Sequence, residues 1–314
     1  MIESLIAVRA VHFAATVAAS GAIFFRLWVA APVVRRGADS RWSARLDARL
    51  VGIAWASLAL VVVSAAAWLL LVAAEASGRP LAAALGGDVI AAVLTRTRFG
   101  HVWIARIAIA VALGLYLLRS RPDDRPLSLR GLAAALLAAA LLGALALVGH
   151  GGATPGTAGV IHLASDLAHA IAAGTWVGGL VPLALLLAAA RRAGDGSALA
   201  MAHAATRRFS TLGLVSFAVL LATGVVNAVF LVGSVPALLG TAYGRLLTVK
   251  IFLFAVMVAI AVVNRLRLTP RLAQAADAMR RLQRNSLFEA ALGLAVLALV
   301  GALGAIPPAL RVEP

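Results

Sequence analysis

Eight apolar runs alternate with short basic stretches along the whole chain. They cover approximately 5–30, 51–74, 100–118, 131–149, 160–189, 209–232, 245–264 and 287–306. A helix needs about 20 apolar residues to cross a bilayer, and in lipid only helices and closed barrels satisfy their own backbone. These runs are much longer than the alternating segments of a barrel. The pattern predicts an all-α fold: a polytopic transmembrane helical bundle of eight spans, one integral-membrane domain over 1–314. No tandem repeat and no separate soluble domain stands out. The first run, from about Leu5 to Ala30, is too long for a signal-peptide core and reads as a retained span. The segment 75–99 has room for a short surface helix, and the stretch that begins His150-Gly-Gly reads as a flexible loop.

The polar positions orient these spans. Nineteen arginines fall in the odd-numbered loops, among them Arg35, Arg36, Arg119, Arg191, Arg208, Arg265 and Arg281. Only five fall in the even loops and the C-terminal tail: Arg79, Arg96, Arg98, Arg245 and Arg311. Basic residues mark cytoplasmic loops, so the odd loops are expected inside and both termini in the periplasm. The same bias accounts for the net charge of +16 without nucleic acid as a partner. A hydrophobic content of 63% and a mean hydropathy of +1.00 fit a membrane protein of this size. Cysteine is absent, which excludes disulfides and thiolate metal sites.

Candidate chemistry lies in the histidines. His12, His101, His150, His162 and His169 all map to the expected periplasmic end, and His203 alone maps to the other. Imidazole is the commonest protein metal ligand and the usual axial ligand of haem. His162, Asp166 and His169 share one helical face at i, i+4 and i+7, where the carboxylate can ligate a metal or hold an imidazole in place. The competing reading is a set of polar residues at a water interface. His12 lies about two turns into its span, roughly 10 Å deep, where an ionisable group is costly unless paired or facing a cavity. His101 sits at the boundary beside Arg96 and Arg98 and suits an interfacial role. Arg9, Arg106 and Lys250, the single lysine, compete for Asp166, although Lys250 can also snorkel outward. Asn264 and Glu289 are expected to tie helices together, and Trp176-Val-Gly-Gly to admit a neighbouring helix closely. Imidazole with or without carboxylate suits copper, zinc, nickel or iron.

Several fragments then fall into a recognisable order. Asp166-Leu-Ala-His169-Ala-Ile-Ala-Ala-Gly-Thr-Trp176-Val-Gly-Gly-Leu180 resembles the copper resistance D family of bacterial membrane proteins. So do Arg208-Phe-Ser210, Thr223-Gly224-Val-Val-Asn227, Thr241-Ala-Tyr243-Gly-Arg-Leu-Leu-Thr-Val-Lys250 and Asn264-Arg-Leu-Arg-Leu-Thr-Pro270. Arg98-Phe-Gly-His-Val-Trp-Ile-Ala-Arg106 is similar to the family's third-span entry. The similarity is clearest over 95–305. It implies an inner-membrane protein of copper uptake or tolerance, working beside a separate periplasmic copper-binding protein of the copper resistance C type. The expected metal ligands are His12, His150, His162, Asp166 and His169, supported by His101, Arg106, Lys250 and Tyr243.

Copper transport without enzymatic catalysis is therefore the first expectation. No nucleotide-binding motif is present, so passage would be passive or driven by the membrane potential. Two readings compete with it. One is a cytochrome with haem b between facing histidines, for which His12 and His169 are the available pair. The other is a copper-binding assembly partner that does not transport.

Overall fold

In a computed structural model the chain is described over residues 1–34, 41–78, 80, 84, 86–120, 125–149, 156–272 and 276–311. His150, Arg35, Arg36, Arg79 and Arg121 lie outside the described residues. Eight helices are long and apolar enough to cross a membrane: Ile2–Val34, Ser43–Ser77, Arg98–Leu118, Leu129–Leu147, Gly156–Ala193, Gly196–Leu231, Ala242–Arg271 and Asp277–Leu303. They are spans 1 to 8 below. No strand occurs among the described residues. The protein is a multi-pass membrane protein, as the hydropathy pattern predicts. The expected surface helix before span 3 is Gly87–Arg96, and a shorter one, Val235–Gly240, precedes span 7.

Local chemistry sets where the spans begin. Thr97, Ser128 and Thr241 each cap a span, accepting from the backbone N–H of Gly100, Gly131 and Gly244 at 3.0, 3.2 and 3.0 Å. Each bond satisfies one of the donors that a helix start leaves without a partner. Gly100 and Gly244 are also required by space. A Cβ at either would run into the backbone of the short helix before it.

Spans 1, 4, 5 and 8 form the centre of the bundle, with spans 2 and 3 on one flank and spans 6 and 7 on the other. Spans 1 and 5 meet where Gly21 faces Gly178, so closely that a Cβ on either would strike the backbone of the other. This is the close approach expected from Trp176-Val-Gly-Gly, because small residues let helices meet backbone to backbone in lipid.

Polar ties lie toward the arginine-rich end. Arg26 on span 1 donates to Asp47 on span 2 at 2.6 Å and to the Tyr116 hydroxyl on span 3 at 3.3 Å. Asn264 donates to Glu289 at 2.7 Å and accepts from Asn285 at 2.7 Å, which bears out the expected tie between spans 7 and 8. Span 1 passes through a π-helical turn at Phe25–Ala30 just before Pro32. A proline has no N–H to donate one turn back, to the carbonyl of Trp28. That carbonyl instead accepts from Arg208 on span 6 at 3.4 Å.

Candidate metal centre

His12 is buried in span 1, with its ring edge-on to Trp68 at 5.4 Å between centroids. Its Nδ1 lies 2.8 Å from Ser64 Oγ on span 2. The hydroxyl hydrogen of Ser64 is directed at its own helix, to the carbonyl of Leu60 at 2.5 Å. With that hydrogen so used, Ser64 Oγ is open to accept from His12, which favours the tautomer with the proton on Nδ1. Its Nε2 keeps a lone pair, is buried and has no hydrogen-bond partner among the described residues. The imidazole lines a small cavity, about 10 Å³, together with Trp68, Phe99, Trp103 and Arg106. That volume is about the room one water molecule or one bare ion requires. Arg106, also buried, donates from Nη2 to Thr16 Oγ1 at 3.3 Å, and its charge bears on His12.

The second cluster lies on span 5. His169 places Nδ1 2.9 Å from Thr223 Oγ1 on span 6, and Thr223 donates to the Val219 carbonyl at 2.6 Å. The same arrangement favours the His169 tautomer with the proton on Nδ1 and a lone pair on Nε2. Asp166 accepts from Asn227 Nδ2 at 2.6 Å. It lies 3.9 Å from His162 Nε2 and within electrostatic reach of Tyr243 and Lys250 on span 7. Lys250 bears on His169 in turn. His162 is buried and stacks flat on Phe230, with centroids 4.7 Å apart. The Oδ1 of Asn227 is buried without a donor among the described residues.

The structure thus gathers His162, Asp166, His169, Tyr243 and Lys250 into one neighbourhood. It puts His12 and Arg106 in another. Among the described residues, no group of three His, Asp or Glu side chains is arranged to hold a metal ion. His101 is exposed, with Nε2 3.0 Å from the Thr95 carbonyl, the interfacial role expected of it. His203 lines a groove of about 430 Å³ with Arg207, Ser210 and Arg265 at the arginine-rich end.

Helical geometry explains why the histidines separate. Spans 1 and 5 run in the same direction, being four crossings apart. His12 precedes Gly21 by nine residues, and His169 precedes Gly178 by nine. Nine residues are about 13.5 Å of rise and about two and a half turns. The two imidazoles therefore lie at one depth but point to opposite sides of the contact between their helices. The facing pair that a haem iron needs is not formed. Reasoning from sequence passed over Ser64, and it named Thr223 and Asn227 without giving either a role at the site. The serine and the threonine each bond an imidazole, but other hydroxyl residues share their apolar runs, Ser57 with Ser64 and Ser216 with Thr223, so position alone did not single them out.

Comparison with known proteins decides the family. The model of the copper resistance protein D-like N-terminal domain matches residues 1–160, and that of copper resistance protein D matches residues 203–303. The chain belongs to the copper resistance protein D family. Inner membrane protein YebZ of Escherichia coli K12 is 30% identical over 305 residues, 96% of this chain and 98% of its own length. Copper resistance protein D of Pseudomonas syringae pv. tomato is 29% identical over 231 residues, 69% of this chain and 71% of its own. Copper transport protein CutJ of Bacillus subtilis 168 is 33% identical over 153 residues, which are 48% of this chain and 27% of that protein. No solved structure matches the chain.

Proposed function

We propose that this member of the family takes copper from the periplasm across the inner membrane, binding it through the imidazoles at the histidine-bearing end. The observation that carries the reading is a pair of imidazoles, His12 buried and His169 half-buried, each with Nδ1 at hydrogen-bond distance from a hydroxyl, which leaves Nε2 to offer a lone pair. Neutral imidazole nitrogen is a favourable copper ligand, and an outer hydrogen bond that fixes ring and tautomer is the usual support of a metal-binding histidine. Asp166 and His162 extend the donor set beside His169, and His150 borders the same end in sequence. The arginine-rich loops at the opposite end support a periplasmic position for it by the positive-inside rule. A separate periplasmic copper-binding protein of the copper resistance C type would deliver the ion there. Passage inward would follow the membrane potential, which favours cation entry.

The test is metal content. Purified protein loaded with Cu(I) and freed of excess is expected to retain copper, and His12→Ala and His169→Ala are each expected to lower the amount. Unchanged copper in both variants would defeat the assignment. Copper entry into liposomes, abolished by the double variant, would separate transport from binding alone.

A further inference from the structure

The two halves of the bundle match one another in detail. Span 3 opens Thr97-Arg-Phe-Gly100 and carries Arg106-Ile; span 7 opens Thr241-Ala-Tyr243-Gly244 and carries Lys250-Ile, at identical spacing. Both threonines cap their spans, both glycines press on a short preceding helix, and both cations lie six residues beyond the glycine. His12 and His169 stand nine residues before the glycines that face each other. Each binds, through Nδ1, a hydroxyl residue on the following span whose own proton goes four residues back. Most contacts between helices repeat as well, although spans 2 and 3 touch where spans 6 and 7 scarcely do. Span 1 packs on 2, 4 and 8 as span 5 packs on 6, 8 and 4, and span 3 packs on 4 as span 7 packs on 8. Gly143 of span 4 meets Leu167 of span 5, and Gly301 of span 8 meets Ala10 of span 1. Leu167 and Ala10 each stand two residues before their histidine. Four crossings per unit give both the same direction, as units related by a pseudo-twofold axis along the membrane normal would have, a recurrent plan among transport proteins.

We propose that the chain consists of two copies of one four-span unit, and that each copy builds its own cation station: His12, Ser64 and Arg106 in the first, His169, Thr223 and Lys250 in the second. That the cation is copper rests on the functional reading above. A merely structural histidine would have both ring nitrogens satisfied. His12 instead has a buried, unpartnered Nε2 and lines a cavity of single-ion size, and the second station holds the unpartnered Asn227 Oδ1.

The copies have diverged in charge. Three residues before each histidine stand Arg9 and Asp166, and four residues after each hydroxyl stand Trp68 and Asn227. The equivalent pairs touch in both copies. Arg9 lies over the Trp68 ring at 5.3 Å, and Asp166 accepts from Asn227. The first station has two cations near its imidazole. The second has a carboxylate to offset Lys250. A metal cation is therefore held more tightly at His169 than at His12.

The test is Cu(I) titration of the full chain in detergent against a chelator of known affinity. Wild type is expected to bind two equivalents, the first at least about tenfold more tightly. His169→Ala should remove the tight equivalent and His12→Ala the weak one. One equivalent abolished by either substitution would mean a single shared site and overturn the duplication of stations while leaving copper binding intact. Two equivalents untouched by His12→Ala would overturn it equally. No retained copper in wild type would overturn the functional reading itself. Should an alanine variant fail to fold, Ser64→Ala and Thr223→Val give the second measure. Each should weaken only its own station, by about tenfold or more, and a loss at both stations from either one would count against two sites.

Discussion

Gly178→Ala tests the seam on which both halves turn. A Cβ at position 178 would lie 2.8 Å from the Cα of Gly21, where ordinary contact begins at 3.4 Å, and would also strike the Val17 carbonyl. The shortfall against the Cα alone is 0.6 Å, and both obstacles are backbone, which no rotamer change removes. Spans 1 and 5 must part or slide, and overpacking of this kind costs about 1–3 kcal/mol. Gly52→Ala is the control, because a Cβ there meets nothing within 4 Å and alanine is the better helix former by about 1 kcal/mol. Six tryptophans, with Trp176 buried two residues from the contact, report unfolding in detergent by their intrinsic fluorescence. Gly178→Ala should unfold measurably earlier than wild type and Gly52→Ala should not. Gly178→Leu, which brings more volume to the same place, should fail to accumulate as folded protein. Equal stability of Gly178→Ala and Gly52→Ala would refute the close approach of spans 1 and 5.

Three further outcomes follow from named contacts. Arg106→Gln should tighten copper at the first station. Unit charges about 4–8 Å apart at an effective dielectric of about 20 repel by roughly 2–4 kcal/mol, so a gain of at least about tenfold in a chelator competition is expected, and weaker binding would contradict it. Asp47→Ala leaves buried Arg26 without its carboxylate and should cost about 3–5 kcal/mol in detergent unfolding; because Asp47 is partly exposed, at 16%, the lower end applies. Cu(I) at about one hundred times its dissociation constant should add about 2.7 kcal/mol of stability, a gain that chelator reverses and that the His12→Ala, His169→Ala double variant lacks.

Depth along the membrane was legible in the sequence, and direction around each helix was not. Runs of apolar residues set the eight spans, and the short helix before span 3 and the glycines of span 5 were read correctly. The order of the spans puts His12, His101, His162 and His169 toward one end of the bundle, while His150 lies outside the described residues. Their expected gathering failed for His12 against His169 because azimuth depends on which stripe of a helix meets its neighbour. Gly21 fixes that stripe on span 1, and nothing around Gly21 distinguishes it from the other small residues of an alanine-rich segment. The likeness of the two halves was hidden for a related reason. Lipid-facing positions accept any apolar side chain, so shared ancestry or shared design leaves its trace only at caps, close contacts and polar pairs. Ser64 and Thr223 illustrate this: two hydroxyls of different residue type, each among others in its apolar run, that meet an imidazole in the same way.

The parity of each unit has a practical outcome. Four passes return a polypeptide to the leaflet where it began, so a nick between spans 4 and 5 would leave two fragments with all four ends on one side. Either fragment could then be threaded by the insertion machinery without inverting the other. Co-expressed, they would need only the glycine seam and its neighbouring helices to find each other, as two subunits of a dimer do.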